Sequence, residues 1–240
     1  MFYTDLIHGK KIVKSNKLTD LEHFFTTRES FIKSKEPKSK KLANCNKKII
    51  RDYLDVNEFI SPDQTHSCNI AYAELGRTDY SETDALILIN KGQAVFLNFA
   101  DCTPVILYDK VKNIGAIAHA GWRGKAKQIA VKTVEKMNSN PENIIAVIGP
   151  AICINCYEVK KEVLEQLKLT VKNFDELYKL QDDKIFVDLK GINARQLAEF
   201  GVKEIDICPY CTSCNNDLFF SYRKENGTTS RHSAIIKLLY

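Results

Sequence analysis

Through the middle of the chain, apolar positions come in short runs separated by turn-prone residues. DALILI at 84–89, AVFLNFA at 94–100, PVILY at 104–108 and IGAIAHA at 114–120 are bounded by pieces such as Asn90-Lys91-Gly92 and Asp109 to Asn113. Runs of this length with such borders predict strands buried on at least one face. After Gly124 the period becomes helical: Ala126, Ile129, Ala130, Val134 and Met137 share one side, Lys125, Lys132 and Lys136 lie largely on the other, and Pro141 follows the end. IIAVIG at 144–149 predicts another strand, and helices are expected at Lys160 to Leu169 and Leu189 to Phe200. The chain closes on three strand-like stretches, IDIC, LFFSYR and AIIKLLY. Roughly the first 60 residues read as short strands, such as HFFTTR at 23–28, then a lysine-rich loop and a helix from about Asn46 to Leu54. No repeat or low-complexity linker interrupts the pattern. The fold class expected is α/β (mixed α+β), a single globular domain over residues 1–240 with mixed β-sheets flanked by helices.

Composition narrows this. A chain of 240 residues, 44% hydrophobic and 27% charged, is long enough for one well-buried core or at most two small ones. Nothing near the start joins a basic segment to an apolar run, and no stretch approaches the roughly 20 apolar residues that span a bilayer. A cytoplasmic protein with no membrane partner is expected. The eight cysteines then read as reduced core thiols or metal ligands rather than a secreted disulfide scaffold. Much of the net charge of +5 sits between Lys33 and Lys48, where seven lysines face a single Glu36. Such a run is usually a solvated loop, and the aromatic residues are not interleaved with it as a single-strand nucleic-acid platform requires. No nucleic-acid partner is expected.

The candidate chemistry sits at strand ends. His119 lies near the end of IGAIAHA, Cys102 directly follows AVFLNFA and Asp101, and His66 lies upstream in DQTHS. Together they form a candidate His, Cys, His ligand set with a fourth position open, as in catalytic zinc sites. The three are far apart in sequence, so only the fold can join them, and a lone His or Cys at a strand end is more often a packed core residue. Asp101 reads equally as a turn carboxylate or as support for the neighbouring Cys102, from which a strand would turn it away. Arg123 stands in a glycine-flanked turn between strand and helix, where free N–H groups and a planar guanidinium suit phosphate. Trp122 either packs or stacks on a base. Cys208, Cys211 and Cys214 form CxxCxxC, and Cys153 with Cys156 forms CxxC. Core or pocket-lining thiols are the preferred reading for these five, with a second metal or redox pairing as alternatives.

DQTHS, TDALI at 83–87, ADCTPVILYD at 100–109, AHAGWRG at 118–124, IGPAI at 148–152, CYEV at 156–159 and CTSCNNDLFFSYR at 211–223 occur in that order. The chain thereby resembles the YfiH family, also called the laccase-domain or polyphenol oxidoreductase family, from about His23 to the C-terminus. The resemblance implies the fold shared with the catalytic domain of cytotoxic necrotizing factor toxins. It also implies Zn2+ on His66, Cys102 and His119, which fall on the family's metal positions and are its catalytic residues, and phosphate or ribose contacts from Arg123, Arg28 and Arg223. The implied activities are phosphorolysis of adenosine, inosine and S-methyl-5'-thioadenosine to free base and (methylthio)ribose 1-phosphate, and adenosine deamination by water activated at the metal. The partners are then small-molecule purine nucleosides and phosphate; the oligomeric state is not fixed. Where many members carry an Asn-Arg pair, this chain has Asn46-Lys47. Two other readings stand beside this one. A metal-free cysteine hydrolase or amidase, including cell-wall precursor editing, would use Cys102 as nucleophile and His119 or His66 as base. A copper polyphenol oxidase needs on the order of ten histidines for four coppers, well beyond the five present.

Overall fold

The computed structural model describes residues 1–239. In chain order its elements are β1 (Phe2–Ile7), β2 (Lys10–Ser15), β3 (Leu21–Thr26), α1 (Pro37–Leu54), β4 (Glu58–Ile60), β5 (Ile70–Tyr72), β6 (Ala85–Leu88), β7 (Gln93–Phe99), β8 (Thr103–Asp109), β9 (Ile114–Ala120), α2 (Trp122–Ala126), α3 (Ile129–Lys136), β10 (Ile144–Ile148), β11 (Glu158–Val159), α4 (Lys161–Lys168), β12 (Tyr178–Gln181), β13 (Lys184–Val187), α5 (Leu189–Phe200), β14 (Glu204–Ile207) and β15 (His232–Leu238). Two mixed six-stranded sheets, ordered β1-β2-β3-β15-β7-β4 and β14-β10-β8-β9-β6-β5, stack face to face, and a small antiparallel sheet β11-β13-β12 stands beside them.

Side-chain alternation explains the stacking. Along β7, Val95, Leu97 and Phe99 point toward the second sheet, whereas Ala94 and Phe96 point outward to Ile50 and Leu54 of α1. Along β8 and β9, Ile106 and Ile117 meet the first sheet, while Val105, Leu107, Ala116 and Ala118 meet Ile129, Ala130 and Val134 of α3 and Leu197 of α5. The result is four layers, helix, sheet, sheet and helices. Strands buried on both faces are near-continuous apolar runs, which is why the middle segments read so clearly. Gly149 allows the closest approach between layers, since a Cβ there would lie 2.2 Å from a ring carbon of Phe25. Two histidines are sealed into the first sheet, His23 and His232, the latter stacked on Phe99.

Three expectations need correction. Most of the lysine-rich segment is helix rather than loop, because α1 starts at Pro37; Ala43, Asn46, Ile50 and Leu54 recur at helical spacing and are buried, Lys38, Lys40, Lys41 and Lys48 are exposed, and Lys47 lies half-buried over the rings of Phe59 and Phe96. The helix expected after Gly124 begins earlier, at Trp122, and is broken in two by Gln128 at φ 56°. The break throws Lys125 off the solvent face and buries it fully, its ammonium donating to the Ala120 carbonyl and to Thr103 Oγ1. LFFSYR is a series of turns rather than a strand, with Phe219 and Phe220 turned into the core. The final strand β15 ends at Leu238, and Tyr240 of its predicted run lies outside the described residues. Among the described residues no helix is long and apolar enough to cross a membrane.

Candidate active site

The chain crosses from the first sheet to the second between Phe99 and Thr103, and this corner builds the site. Asp101 takes the crossing at φ 83°, a left-handed conformation unusual for a residue with a side chain. Its carboxylate accepts from Thr212 Oγ1 at 2.6 Å and from the Arg223 amide at 2.7 Å, which anchors the corner in that conformation. Cys102 follows immediately, and in the β8–β9 ladder His119 stands opposite Pro104. His66, at φ 61°, comes from the loop between β4 and β5. The three residues expected from sequence therefore meet: their ligand atoms lie within 4.8 Å of one another, and His66 Nε2 is 3.6 Å from Cys102 Sγ.

Asp84 holds this arrangement and was not singled out by sequence reasoning. Fully buried at the start of β6, it accepts from His119 Nδ1 at 2.6 Å, from the amides of Thr65, His66 and Ser67 at 2.7–3.1 Å, and from Ser67 Oγ at 2.8 Å. The only sequence signal was a carboxylate opening a wholly apolar run. Burial opposes its charge, yet the His119 hydrogen bond and those from Ser67 bring its carboxyl down to about 2. Donation from Nδ1 to this carboxylate makes that nitrogen the protonated one and turns Nε2 of His119 toward the site. Burial likewise opposes charging Cys102, but His119 and His66 hold its thiol down at about 5. His119 in turn resists burial and is raised to about 9 by Cys102 and Asp84. A thiolate faces two imidazoles whose remaining nitrogens converge.

The donor set fits a single metal ion with an open position: two nitrogens, one sulfur, and space. Gly121 supplies the space. A Cβ there would come within 2.9 Å of His66 Cδ2 and 3.1 Å of Cys102 Sγ, so any other residue would fill the hollow between them. The His66 side is open to solvent whereas His119 is buried, so the site is reached from one side.

The arginines are placed differently. Arg123 is exposed near the start of α2, its guanidinium 4.5 Å from the Trp122 ring centre, and both line a shallow groove with Gln128, Gln166 and Thr170. Trp122 itself packs against the core of the small sheet. Arg223 donates through both terminal nitrogens to the Glu158 carbonyl at 3.1 Å and lies 5.2 Å from the Tyr157 ring centre. Burial, then the charge on Cys102, raise the Tyr157 hydroxyl well above its ordinary range, while Arg223 and Arg123 pull it back. Tyr157 therefore stands within electrostatic reach of the thiolate and both arginines, a second residue that sequence reasoning did not single out. Arg28 is committed elsewhere, to Glu225 at 2.5 Å and to the carbonyls of Asn216 and Phe219. Asn46 is spent on the Glu29 and Phe31 carbonyls. Of the remaining cysteines, Cys208 is buried in the core, while Cys153, Cys156, Cys211 and Cys214 gather in a separate group.

Similarities to known proteins bear on the fold and the family. Residues 33–239 match the family described as multi-copper polyphenol oxidoreductase laccase. Purine nucleoside phosphorylase YlmD of Bacillus subtilis is 32% identical over 209 residues, 80% of this chain and 75% of that protein. An adenosine deaminase, RL5, from an unknown prokaryotic organism is 33% identical over 187 residues, 71% of each. The crystal structure of the Bacillus licheniformis hypothetical protein YfiH superposes with a TM-score of 0.87 at 29% identity, covering 95% of this chain and 96% of that one. With its fold and its sequence over most of its length in common with these proteins, the chain belongs to the YfiH family of multi-copper polyphenol oxidoreductase laccases.

Proposed function

We propose that this chain is a zinc-dependent purine nucleoside enzyme. It cleaves adenosine, inosine and S-methyl-5'-thioadenosine with phosphate and deaminates adenosine, at one centre held by His66, Cys102 and His119. The observation that carries the reading is the convergence of two imidazoles and a thiol beside the hollow left by Gly121. The chain's similarity to a purine nucleoside phosphorylase and to an adenosine deaminase supports it.

When bound, zinc supplies a Lewis acid that polarises a substrate oxygen or lowers the pKa of water to roughly 7. The protein's own part is positioning. Asp84 fixes the His119 tautomer and, through three successive amides, the loop carrying His66. Arg123 offers its planar fork to phosphate from the exposed start of α2, and Arg223, beside Tyr157, is the candidate contact for the sugar. Arg28 acts through the turn that bears Arg223, which it ties down at Glu225.

The family's description speaks of copper, yet of the five histidines only His66 and His119 share a site. That is short of the roughly ten imidazoles a multicopper oxidase uses. A metal-free cysteine hydrolase has one observation in its favour: Cys102, His119 and Asp84 are arranged as nucleophile, base and orienting carboxylate. A second imidazole on the same sulfur is surplus to that chemistry and apt for a metal.

Purified protein analysed for metal and incubated with each nucleoside, with and without phosphate, separates these readings by the mass of the products. About one zinc at this centre, free base only with phosphate, and inosine from adenosine without it are expected. Turnover of amide substrates with no metal at this centre, and with nucleosides untouched, would establish the hydrolase instead.

A further inference from the structure

Four thiols meet a short way from this centre, on loops that leave two adjacent parallel strands. β10 and β14 are paired, and the parallel register continues past their ends in a bridge between Ala151 and Cys211. The first loop then presents Cys153 and Cys156, the second Cys211 and Cys214, each pair spaced CxxC. All four sulfurs lie within 4.8 Å of one another, with Cys156 Sγ 3.5 Å and Cys153 Sγ 4.0 Å from Cys214 Sγ. Sulfurs around one tetrahedral zinc, at about 2.3 Å from the metal, stand about 3.8 Å apart. None of the four is in a disulfide, which needs sulfurs at about 2.05 Å.

The backbone is shaped for thiolates as well. The amides of Cys153 and Cys214 both point at Cys211 Sγ, at 3.3 and 3.4 Å, and donors aimed at sulfur stabilise its negative charge. Cys153 begins a tight turn in which its carbonyl accepts from the amides of Cys156 and Tyr157, bringing the two sulfurs of the first loop to the same side. Cys208, the remaining member of CxxCxxC, is outside the group. The four sulfurs are too close together to surround a multi-iron cluster, whose thiolates bind different iron atoms.

We propose that Cys153, Cys156, Cys211 and Cys214 bind one structural zinc ion in a closed tetrathiolate site. The ion ties together two loops that each hand the next residue to the active site. Tyr157 follows Cys156 and packs under Arg223. Thr212 follows Cys211 and donates to Asp101, the neighbour of Cys102. The site braces the active centre from two sides without touching its substrate, and it does so whether or not the catalytic reading is correct.

The test uses the full-length protein with Cys102→Ala and His119→Ala, which empties the proposed catalytic centre. One zinc per chain should remain, and X-ray absorption at the zinc edge should fit four sulfurs and no nitrogen. Adding Cys214→Ser should remove that last zinc. If this variant does not fold, Cys214→His should fold, keep the ion, and change the fit to three sulfurs and one nitrogen. A folded Cys102→Ala, His119→Ala protein without zinc would overturn the proposal. So would iron in its place, zinc retained in full after Cys214→Ser, or a disulfide between Cys156 and Cys214 in peptides of the native protein.

Discussion

The His66, Cys102, His119 centre and the four-thiol group are both assembled where loops leave the ends of strands, yet one is open and the other closed. The first mixes nitrogen with sulfur, keeps a carboxylate behind one ligand, and has a glycine where a side chain would fill the remaining position. The second presents four sulfurs to one point, with two backbone amides aimed at one of them. Open coordination suits turnover, and saturated coordination suits holding chain segments together. Loss of a ligand should therefore be read out as activity at one site and as stability at the other.

The largest effect is expected from the open site. His66→Ala, Cys102→Ala and His119→Ala should each abolish nearly all nucleoside turnover and its zinc, while thermal unfolding stays close to wild type. Cys214→Ser should do the reverse, losing at least 2 kcal/mol of stability, about 4–8 °C in Tm for a domain of this size, with part of the activity retained. If calorimetry gives the same loss of Tm in both sets, the contrast between the two sites collapses.

Next comes Asp84→Asn, which keeps the shape and removes the charge behind His119. Replacing a carboxylate that orients a ligating histidine typically costs 10- to 100-fold in metal affinity or activity. Zinc competition with a chelating dye should show that weakening; unchanged affinity would mean that Asp84 serves only the backbone of the His66 loop.

Arg123→Lys keeps the charge but loses the planar fork, so the KM for phosphate should rise roughly tenfold or more, in line with 1.5–3 kcal/mol for a charge-assisted hydrogen bond. Deamination of adenosine needs no phosphate and should suffer less in the same variant. Equal losses in both reactions at unchanged zinc content would place Arg123 on the nucleoside.

The smallest effect sharpens the idea of openness. Gly121→Ala leaves the backbone unstrained, since its φ is −67°, and adds one methyl where the hollow is. Activity should fall several-fold with overpacking of about 1–3 kcal/mol in stability. Full activity at unchanged Tm would show that the hollow is not where substrate or metal sits.

The framework was legible because its strands are buried on both faces and are written as apolar runs, and because α5 carries a carboxylate cap at Asp188 and a glycine stop at Gly201. The ligands were legible as residue types out of place at strand ends. Asp84 was not, since one carboxylate beside an apolar run does not say which imidazole it faces. Lys125 misled because helical periodicity assumes an unbroken helix, and the break at Gln128 is a left-handed backbone conformation that composition does not announce. Tyr157 depends on contacts between segments remote in sequence, and for the thiols the local CxxC spacing gives the pairs but not that the two pairs meet.

The two histidines sealed in the first sheet make the fold a proton-sensitive object even where it has no catalytic work. His23 accepts the Ser15 amide at Nε2 and faces the Leu21 carbonyl with Nδ1, a pattern suited to the neutral ring, and burial lowers it to about 4. Burial brings His232 down to about 3. In the unfolded chain both return to about 6.5. Their stabilising contribution is thus complete above that pH and is lost as acid is added, because the unfolded chain takes up protons that the folded one refuses. At about pH 5 the loss is roughly 2 kcal/mol for each ring. Both imidazole signals should stay in the neutral form by NMR down to about pH 5, while urea unfolding becomes easier over the same range. Charging of either ring near pH 6 in the folded protein would contradict this.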